Sequence, residues 1–121
     1  MDQEYLLKKS KVFCMAPWIH LHVWPNGTAK PCCTTNSKQQ YGNTYKNTIK
    51  ELWNSESACK LRKDMLAGKE NEYCINCYEV EKTNQSSLRT SLNLRFGDQH
   101  FDKVKITKSN GTHDMPNLTY M

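Results

Sequence analysis

Residues 13–33 read FCMAPWIHLHVWPNGTAKPCC, and this stretch decides the fold. From residue 18 to residue 24, tryptophan and histidine alternate with aliphatic residues, which predicts a β-strand that needs cover on both faces. The Asn26-Gly27 pair that follows supplies the backbone angles of a tight hairpin turn. The chain should then return as a second strand, and Pro31 should end that strand because it has no amide donor. The sequence therefore predicts a β-hairpin with cysteines at its open end.

Beyond the hairpin, polar loops alternate with short segments that carry helix signals. Residues 34–47 are rich in Thr, Asn, Ser and Gln, which predicts a loop. A hydroxyl or carboxylate at a helix start satisfies the free backbone amides there. Helices beside a hairpin define an α+β fold. The predicted helices are a short one from the Thr48–Glu51 capping box through Trp53, a second from the cap Ser55 to the stop Gly68, and a third from the cap Ser86 to Gly97.

The composition describes a polar chain with a small supply of core residues. Leu, Ile, Val and Phe make up 21 of 121 residues, below the roughly 20% at which a self-sufficient core becomes doubtful. The net charge is +5, but the lysines are scattered and no nucleic-acid motif accompanies them, which favours a solvated surface. No apolar run approaches the ~20 residues of a membrane span, and the polar start is unlike a signal peptide. We therefore expect a cytoplasmic protein whose fold is stabilised by more than hydrophobic burial.

Six cysteines are the main chemical feature of the sequence. In a reducing cytosol, clustered cysteines are more often metal ligands than disulfides. Cys74 and Cys77 are separated by two residues, a spacing that lets one turn direct both sulfurs at the same centre. Taken alone, this pair fits half of a metal site or a redox-active dithiol. The other cysteines are Cys14, Cys32, Cys33 and Cys59.

Pairing of the two hairpin strands brings Cys14 and Cys32 together at the open end. With Cys74 and Cys77 they make a complete set of four thiolates. Both zinc and iron–sulfur clusters accept four cysteines, and spacing alone does not separate the two. One close pair and two distant single cysteines fit the wider span of a cluster better than the paired knuckles of a structural zinc site.

Four further side chains of metal-binding type have simpler interpretations. Cys33 follows Cys32 at an expected strand end, so it should point the other way as a spare or buried thiol, with exchange for Cys32 as the alternative. Cys59 lies on the second predicted helix and should be a small core residue. His20 and His22 share a strand face and could bind zinc, but between two tryptophans we expect them to pack or to hydrogen-bond.

Six short segments form an ordered pattern along the chain. They are FCMAPWIHLHVWPNG at 13–27, PCC at 31–33, GN at 42–43, TIKELWNS at 48–55, LRKDML at 61–66 and CINCYE at 74–79. Cys14 leads, and the stretch from Gly27 to Cys32 supplies a Gly-x4-Cys spacing. In this combination the chain resembles the SPASM/twitch auxiliary-cluster domain of radical SAM enzymes. The resemblance covers roughly residues 12–97.

The resemblance implies a small twitch-like α+β domain organised around one [4Fe-4S] cluster, with Cys14, Cys32, Cys74 and Cys77 as its ligands. A full SPASM domain has three further cysteines, and none follows Cys77 here, which indicates the shorter form with one cluster. Four cysteine ligands leave no iron open, so the implied role is electron transfer rather than direct binding of a substrate. Ligand bonds would also replace the missing core.

The resemblance further implies a partner domain. The radical-generating core of the family binds S-adenosylmethionine at a second [4Fe-4S] cluster held by Cys-x3-Cys-x2-Cys, a motif that this sequence lacks. We expect that core later in the same longer chain, acting on a peptide or a small molecule. The expected division is a polar lead-in at 1–12, the cluster domain at 13–97, and a linker with the first strand of the core at 98–121.

Two other functions are alternatives. A zinc-stapled binding module would use the same four thiolates, whereas a cytosolic dithiol oxidoreductase would use only Cys74 and Cys77. Metal analysis separates the three, because iron with acid-labile sulfide indicates a cluster, zinc indicates the staple, and two free thiols indicate the oxidoreductase.

Overall fold

A computed structural model describes residues 2–114 and shows a three-stranded antiparallel sheet beside five α-helices, which confirms the α+β class. In this part of the chain, no helix is long and apolar enough to cross a membrane. The strands are β1 (His22–Val23), β2 (Thr28–Lys30) and β3 (Gly42–Asn43). The helices are α1 (Ala16–Ile19), α2 (Ile49–Trp53), α3 (Glu56–Leu66), α4 (Ile75–Glu81) and α5 (Leu88–Lys105), with a π-helical turn at Tyr5–Lys9 and a 3-10 turn at Glu72–Cys74.

The predicted hairpin is confirmed, with a turn at residues 25–27. Strands β1 and β2 pair antiparallel, with His22 opposite Lys30. The Gly27 amide donates to the Trp24 carbonyl at 2.8 Å, and Gly27 has a φ of +87°, a conformation that favours glycine. Strand β2 ends at Lys30, directly before Pro31, as the missing amide donor predicts.

Two features of the sheet region differ from the sequence prediction. Residues 16–19 form the single helical turn α1 rather than the start of a strand, because Pro17 has the fixed φ that suits a first helical turn. This turn places Trp18 in the core, where its ring stacks on Phe13 with centroids 5.3 Å apart. Strand β3 lies inside the stretch predicted as a polar loop and pairs with β2, with Ala29 opposite Gly42.

Helices α2 and α3 start where their capping residues predict. The Glu51 amide donates to the Thr48 hydroxyl at 3.1 Å, and the Thr48 amide donates to the Glu51 carboxylate at 2.8 Å. This is the reciprocal pair of a capping box. Ser55 caps α3 by accepting from the Ala58 amide, and that helix ends just before Gly68, whose φ is +75°.

The helical elements from Glu72 onward differ more from the sequence prediction. The turn that carries the Cys74–Cys77 pair is helical, because the 3-10 turn runs directly into α4 and Cys77 lies in the first turn of that helix. The cap of α5 is Ser87 rather than Ser86. The predicted helix end at Gly97 was wrong, since α5 continues to Lys105.

Gly97 is a close-packing residue rather than a helix stop. A β-carbon at this position would lie 2.5 Å from Leu7 Cδ2, so the glycine makes room for the Leu7 side chain against α5. Residues that the sequence predicted as a polar lead-in thus cover the middle of a helix. The division of the chain into 1–12, 13–97 and 98–121 stays a prediction, and the strand expected near residue 117 lies outside the described residues.

A buried arginine ties the ends of several elements together. Arg62 of α3 is completely buried, and its guanidinium donates to the carbonyls of Pro17, Trp53 and Gly111 and to Asn54 Oδ1. Each of the three guanidinium nitrogens thus finds a partner without a carboxylate, which offsets the cost of burying the charge. The arrangement holds the segment after α5 against α3, beside the core built on α1.

Candidate metal centre

The four cysteines chosen from the sequence line one cavity. Its other walls are mostly apolar and include Pro17, Pro31 and Leu92. Three of the cysteines are buried and Cys32 is partly buried. The sulfurs come from three separate parts of the chain, namely Cys14, Cys32, and the pair Cys74 and Cys77.

Cys14 is held in place by a residue that the sequence analysis missed. Asn93 of α5 accepts a hydrogen bond from the Met15 amide at 2.9 Å and donates to the Phe13 carbonyl at 2.8 Å. Asn93 therefore hydrogen-bonds to the backbone on both sides of Cys14. The Cys14 sulfur itself accepts from the Ala16 amide at 3.4 Å. A lone Asn among apolar helix positions was the available signal, because a buried amide needs partners.

A threonine hydroxyl connects two of the sulfurs. Thr34 Oγ1 lies 3.4 Å from Cys32 Sγ and 3.7 Å from Cys77 Sγ. Thr35 Oγ1 lies 3.5 Å from Cys32 Sγ on the same side. The Asn76 side chain donates to the Thr34 carbonyl at 2.9 Å. The loop after β2 is thus fixed to the start of α4, and hydroxyl donors face the two thiols.

The Cys74–Cys77 pair is set by the local helix start. Asn71 caps the 3-10 turn by accepting from the Tyr73 amide at 3.0 Å. Cys74 ends that turn, and Cys77 follows in the first turn of α4. The two-residue spacing therefore directs both sulfurs into the cavity, as the sequence predicts for a chelating pair.

Two of the thiols, those of Cys14 and Cys74, have raised pKa values and stay protonated until positive charge is supplied. Burial raises the pKa of Cys14 well above the usual range, and the nearby thiol of Cys74 raises it further. Burial also raises the pKa of Cys74 to about 12, with Cys32 and Cys77 adding to the shift. Buried thiolates repel one another, so they form only when a cation offsets their charge. Loading such a site must release protons.

A buried ion pair lies beside the cavity and was also missed from the sequence. Arg89 of α5 lines the cavity, and its guanidinium donates to both carboxylate oxygens of Glu81 on α4. The same guanidinium donates to the carbonyls of Ser10 and Phe13 at 2.9 and 2.7 Å. Arg89 therefore joins the backbone next to Cys14 to the helix that carries Cys77.

The remaining candidates lie elsewhere. Cys33 is exposed, as expected for a spare thiol, and Cys59 lies on α3 with its sulfur near the Asn54 carbonyl at 3.6 Å. His20 and His22 have ring centroids 6.1 Å apart, and His22 packs edge-on against Trp24. Within residues 2–114, no three His, Cys, Asp or Glu side chains stand close enough together to hold a single metal ion.

The donor set fits an iron–sulfur group. Four thiolates are soft ligands, which select zinc or iron–sulfur clusters over magnesium or calcium. The cavity between the sulfurs is small, largely apolar and lined by one guanidinium. Such surroundings exclude water and accept a group whose ligands are negatively charged.

Comparison with known families identifies the class. The family model of SPASM, an iron–sulfur cluster-binding domain, matches residues 14–78 and includes all four cysteines of the cavity. This match covers more than half of the 121 residues, so the chain belongs to the SPASM family. No curated protein and no solved structure matches the chain. Arg89 and Asn93 lie on α5, beyond the matched residues.

Proposed function

We propose that this domain binds one [4Fe-4S] cluster through Cys14, Cys32, Cys74 and Cys77 and serves as an auxiliary electron-transfer domain. The observation that carries the proposal is the common cavity lined by these four cysteines. Two of the four are drawn together by the Thr34 hydroxyl, which suits sulfur ligands of one group. When bound, the cluster would supply one-electron chemistry.

A cluster is favoured over the zinc staple by the family to which the chain belongs, because the model that matches residues 14–78 is that of an iron–sulfur cluster-binding domain. Four cysteines alone would also suit zinc. With all four positions taken by cysteine, the bound group would have no site open for a substrate.

We further propose that the domain serves a radical SAM core, which would hold a second [4Fe-4S] cluster and S-adenosylmethionine. The support is the SPASM membership together with the family's use of this domain beside such a core. The proposed core would be recognised by a Cys-x3-Cys-x2-Cys motif. Sequencing the encoding gene beyond codon 121 tests this part, and an open frame without the motif would contradict it.

The cluster itself is tested by metal analysis. Protein purified and reconstituted without oxygen should contain close to four iron and four sulfide per chain, with little zinc. A variant with the four cavity cysteines changed to alanine is the matched control and should contain neither. Near-stoichiometric zinc without sulfide would instead show the zinc staple, and metal-free protein with two alkylatable thiols would show the dithiol oxidoreductase.

A further inference from the structure

The ion pair of Arg89 and Glu81 is oriented with its positive end toward the cysteines. Arg89 lines the cavity of the four thiols, and its side chain is 4% exposed. Glu81 is 19% exposed and lines an outer cleft that contains none of the four cysteines, whereas Arg89 lines both that cleft and the cavity of the thiols. The Ser87 hydroxyl donates to Glu81 at 2.6 Å and holds the carboxylate in that position.

Both members of the pair stay charged. Burial alone would lower the pKa of Arg89, but the hydrogen bonds and the charge of Glu81 raise it above its usual value. Burial would raise the pKa of Glu81, but hydrogen bonds from Arg89 and Ser87 lower it. The guanidinium is therefore a fixed cation beside the cysteines, and the carboxylate is a fixed anion behind it.

The cation and the four cysteines line the same cavity, and the guanidinium donates to the Phe13 carbonyl, one residue before Cys14. In a dry cavity, interactions between charges are stronger than in water, because little solvent screens them. The negative charge that reduction adds at this place is therefore stabilised by Arg89 and destabilised by Glu81.

We propose that Arg89, oriented by Glu81, raises the reduction potential of the cluster held by the four cysteines, an inference that rests on the proposed function. Net charge near an iron–sulfur cluster and hydrogen bonds to its sulfurs are what set its potential. The guanidinium changes the potential through its charge and is not itself a ligand. The negative charge of Glu81 reduces the rise in potential, and its hydrogen bonds with Arg89 orient the guanidinium.

The test uses two variants with opposite expected signs. Redox titration of the reconstituted protein with dithionite, followed by the loss of visible absorbance, should give a lower potential for Arg89→Met. Glu81→Gln should give a higher potential, because it leaves the Arg89 cation without its anion. Glu79→Gln on the same helix is the matched control. Glu79 pairs with Lys82 at the exposed surface, where solvent screens its charge. Glu79→Gln should therefore leave the potential unchanged.

Arg89→Lys separates charge from support of the fold, because it keeps the cation and loses the fork of donors. It should hold a cluster with a potential near that of the unchanged protein. Shifts of the same sign in Arg89→Met and Glu81→Gln, or no shift beyond that of Glu79→Gln, would overturn the inference. Loss of the cluster in both Arg89→Lys and Glu81→Gln would overturn it too, since the pair would then act only on the fold. An unchanged protein that binds no iron would contradict the proposed function itself.

Discussion

At the scale of single residues, the site separates six cysteines into two groups. Cys14, Cys32, Cys74 and Cys77 share one cavity, whereas Cys33 points into solvent and Cys59 lies on α3. Cys32 and Cys33 are neighbours in the bend that follows β2, where Cys32 contacts the Thr35 hydroxyl at 3.5 Å and Cys33 is exposed.

The first prediction concerns this division. Replacing any one of the four cavity cysteines with alanine should abolish or strongly reduce cluster loading, because three thiolates leave one iron without its ligand. Loading is measured as iron and sulfide per chain after anaerobic reconstitution. Cys59→Ser and Cys33→Ser are the controls and should load normally. A cluster that survives Cys32→Ala but not Cys33→Ser would show that Cys33 is the ligand.

At the scale of secondary structure elements, the features predicted from the sequence are those determined by local interactions. The capping box at Thr48 and the Asn26-Gly27 turn lie between residues close in sequence, so the pattern alone contains the signal. The continuation of α5 past Gly97, by contrast, is not determined by local interactions. Gly97 predicts a helix stop until Leu7 is known to pack on it, and that contact joins residues 90 positions apart.

The residues of the candidate site likewise divide into those that the sequence predicts and those that only the fold brings together. Its cysteines were found because thiol chemistry and spacing are visible in the sequence. Asn93 and Arg89 were missed because their partners, the backbone around Cys14 and the carboxylate of Glu81, come together only in the fold. A single sequence contains no sign of which polar helix residue will be buried.

The second prediction tests the hold of α5 on the Cys14 segment. Asn93→Ala removes two buried hydrogen bonds and leaves the Met15 amide and the Phe13 carbonyl without these partners. The free energy of unfolding should fall by about 1–3 kcal/mol. The denaturant midpoint of the loaded protein measures this. Leu94→Ala on the same helix is the control, because Leu94 is 80% exposed and should change little. Equal effects of the two substitutions would contradict the assigned role.

At the scale of the whole molecule, the segment after α5 closes the fold over α3. The Asn54 side chain binds the backbone of His113 on both its amide and its carbonyl, at 3.0 Å each. The His113 ring is buried beside Trp53, with centroids 6.4 Å apart. A β-carbon on Gly111 would lie 2.3 Å from the Cys59 carbonyl oxygen, so this segment packs directly on the helix.

The third prediction follows from the charge state of His113. Burial lowers its pKa, and the charge of Arg62 lowers it further, so the folded protein holds the ring neutral. A lowered pKa means that stability is complete above the unfolded value near 6.5 and is lost as the pH falls through the folded value. His113→Phe should therefore make the unfolding free energy depend less on pH below about 6.5. Urea titrations across that range measure this slope, and an unchanged slope would contradict the prediction.

The fourth prediction concerns the cluster as part of the fold. Its proposed ligands join the segment before α1, the loop after β2 and the start of α4, and their bonds add to the hydrogen bonds that Asn76 and Arg89 make between these parts. Removing the group removes these bonds and leaves the four thiols in a largely apolar cavity. Ligand binding stabilises only the folded state, so the melting temperature should fall when an anaerobic chelator strips the protein.

Tryptophan fluorescence measures this fall, because Trp18 and Trp53 are completely buried and become exposed on unfolding. The variant without the four cavity cysteines is the control, and its melting should not depend on the chelator. Stripped and loaded proteins that melt together would mean that hydrophobic burial is sufficient after all. The small share of core residues in this sequence argues for the opposite result, since a chain with so few of them depends on cross-links that its ligand bonds can supply.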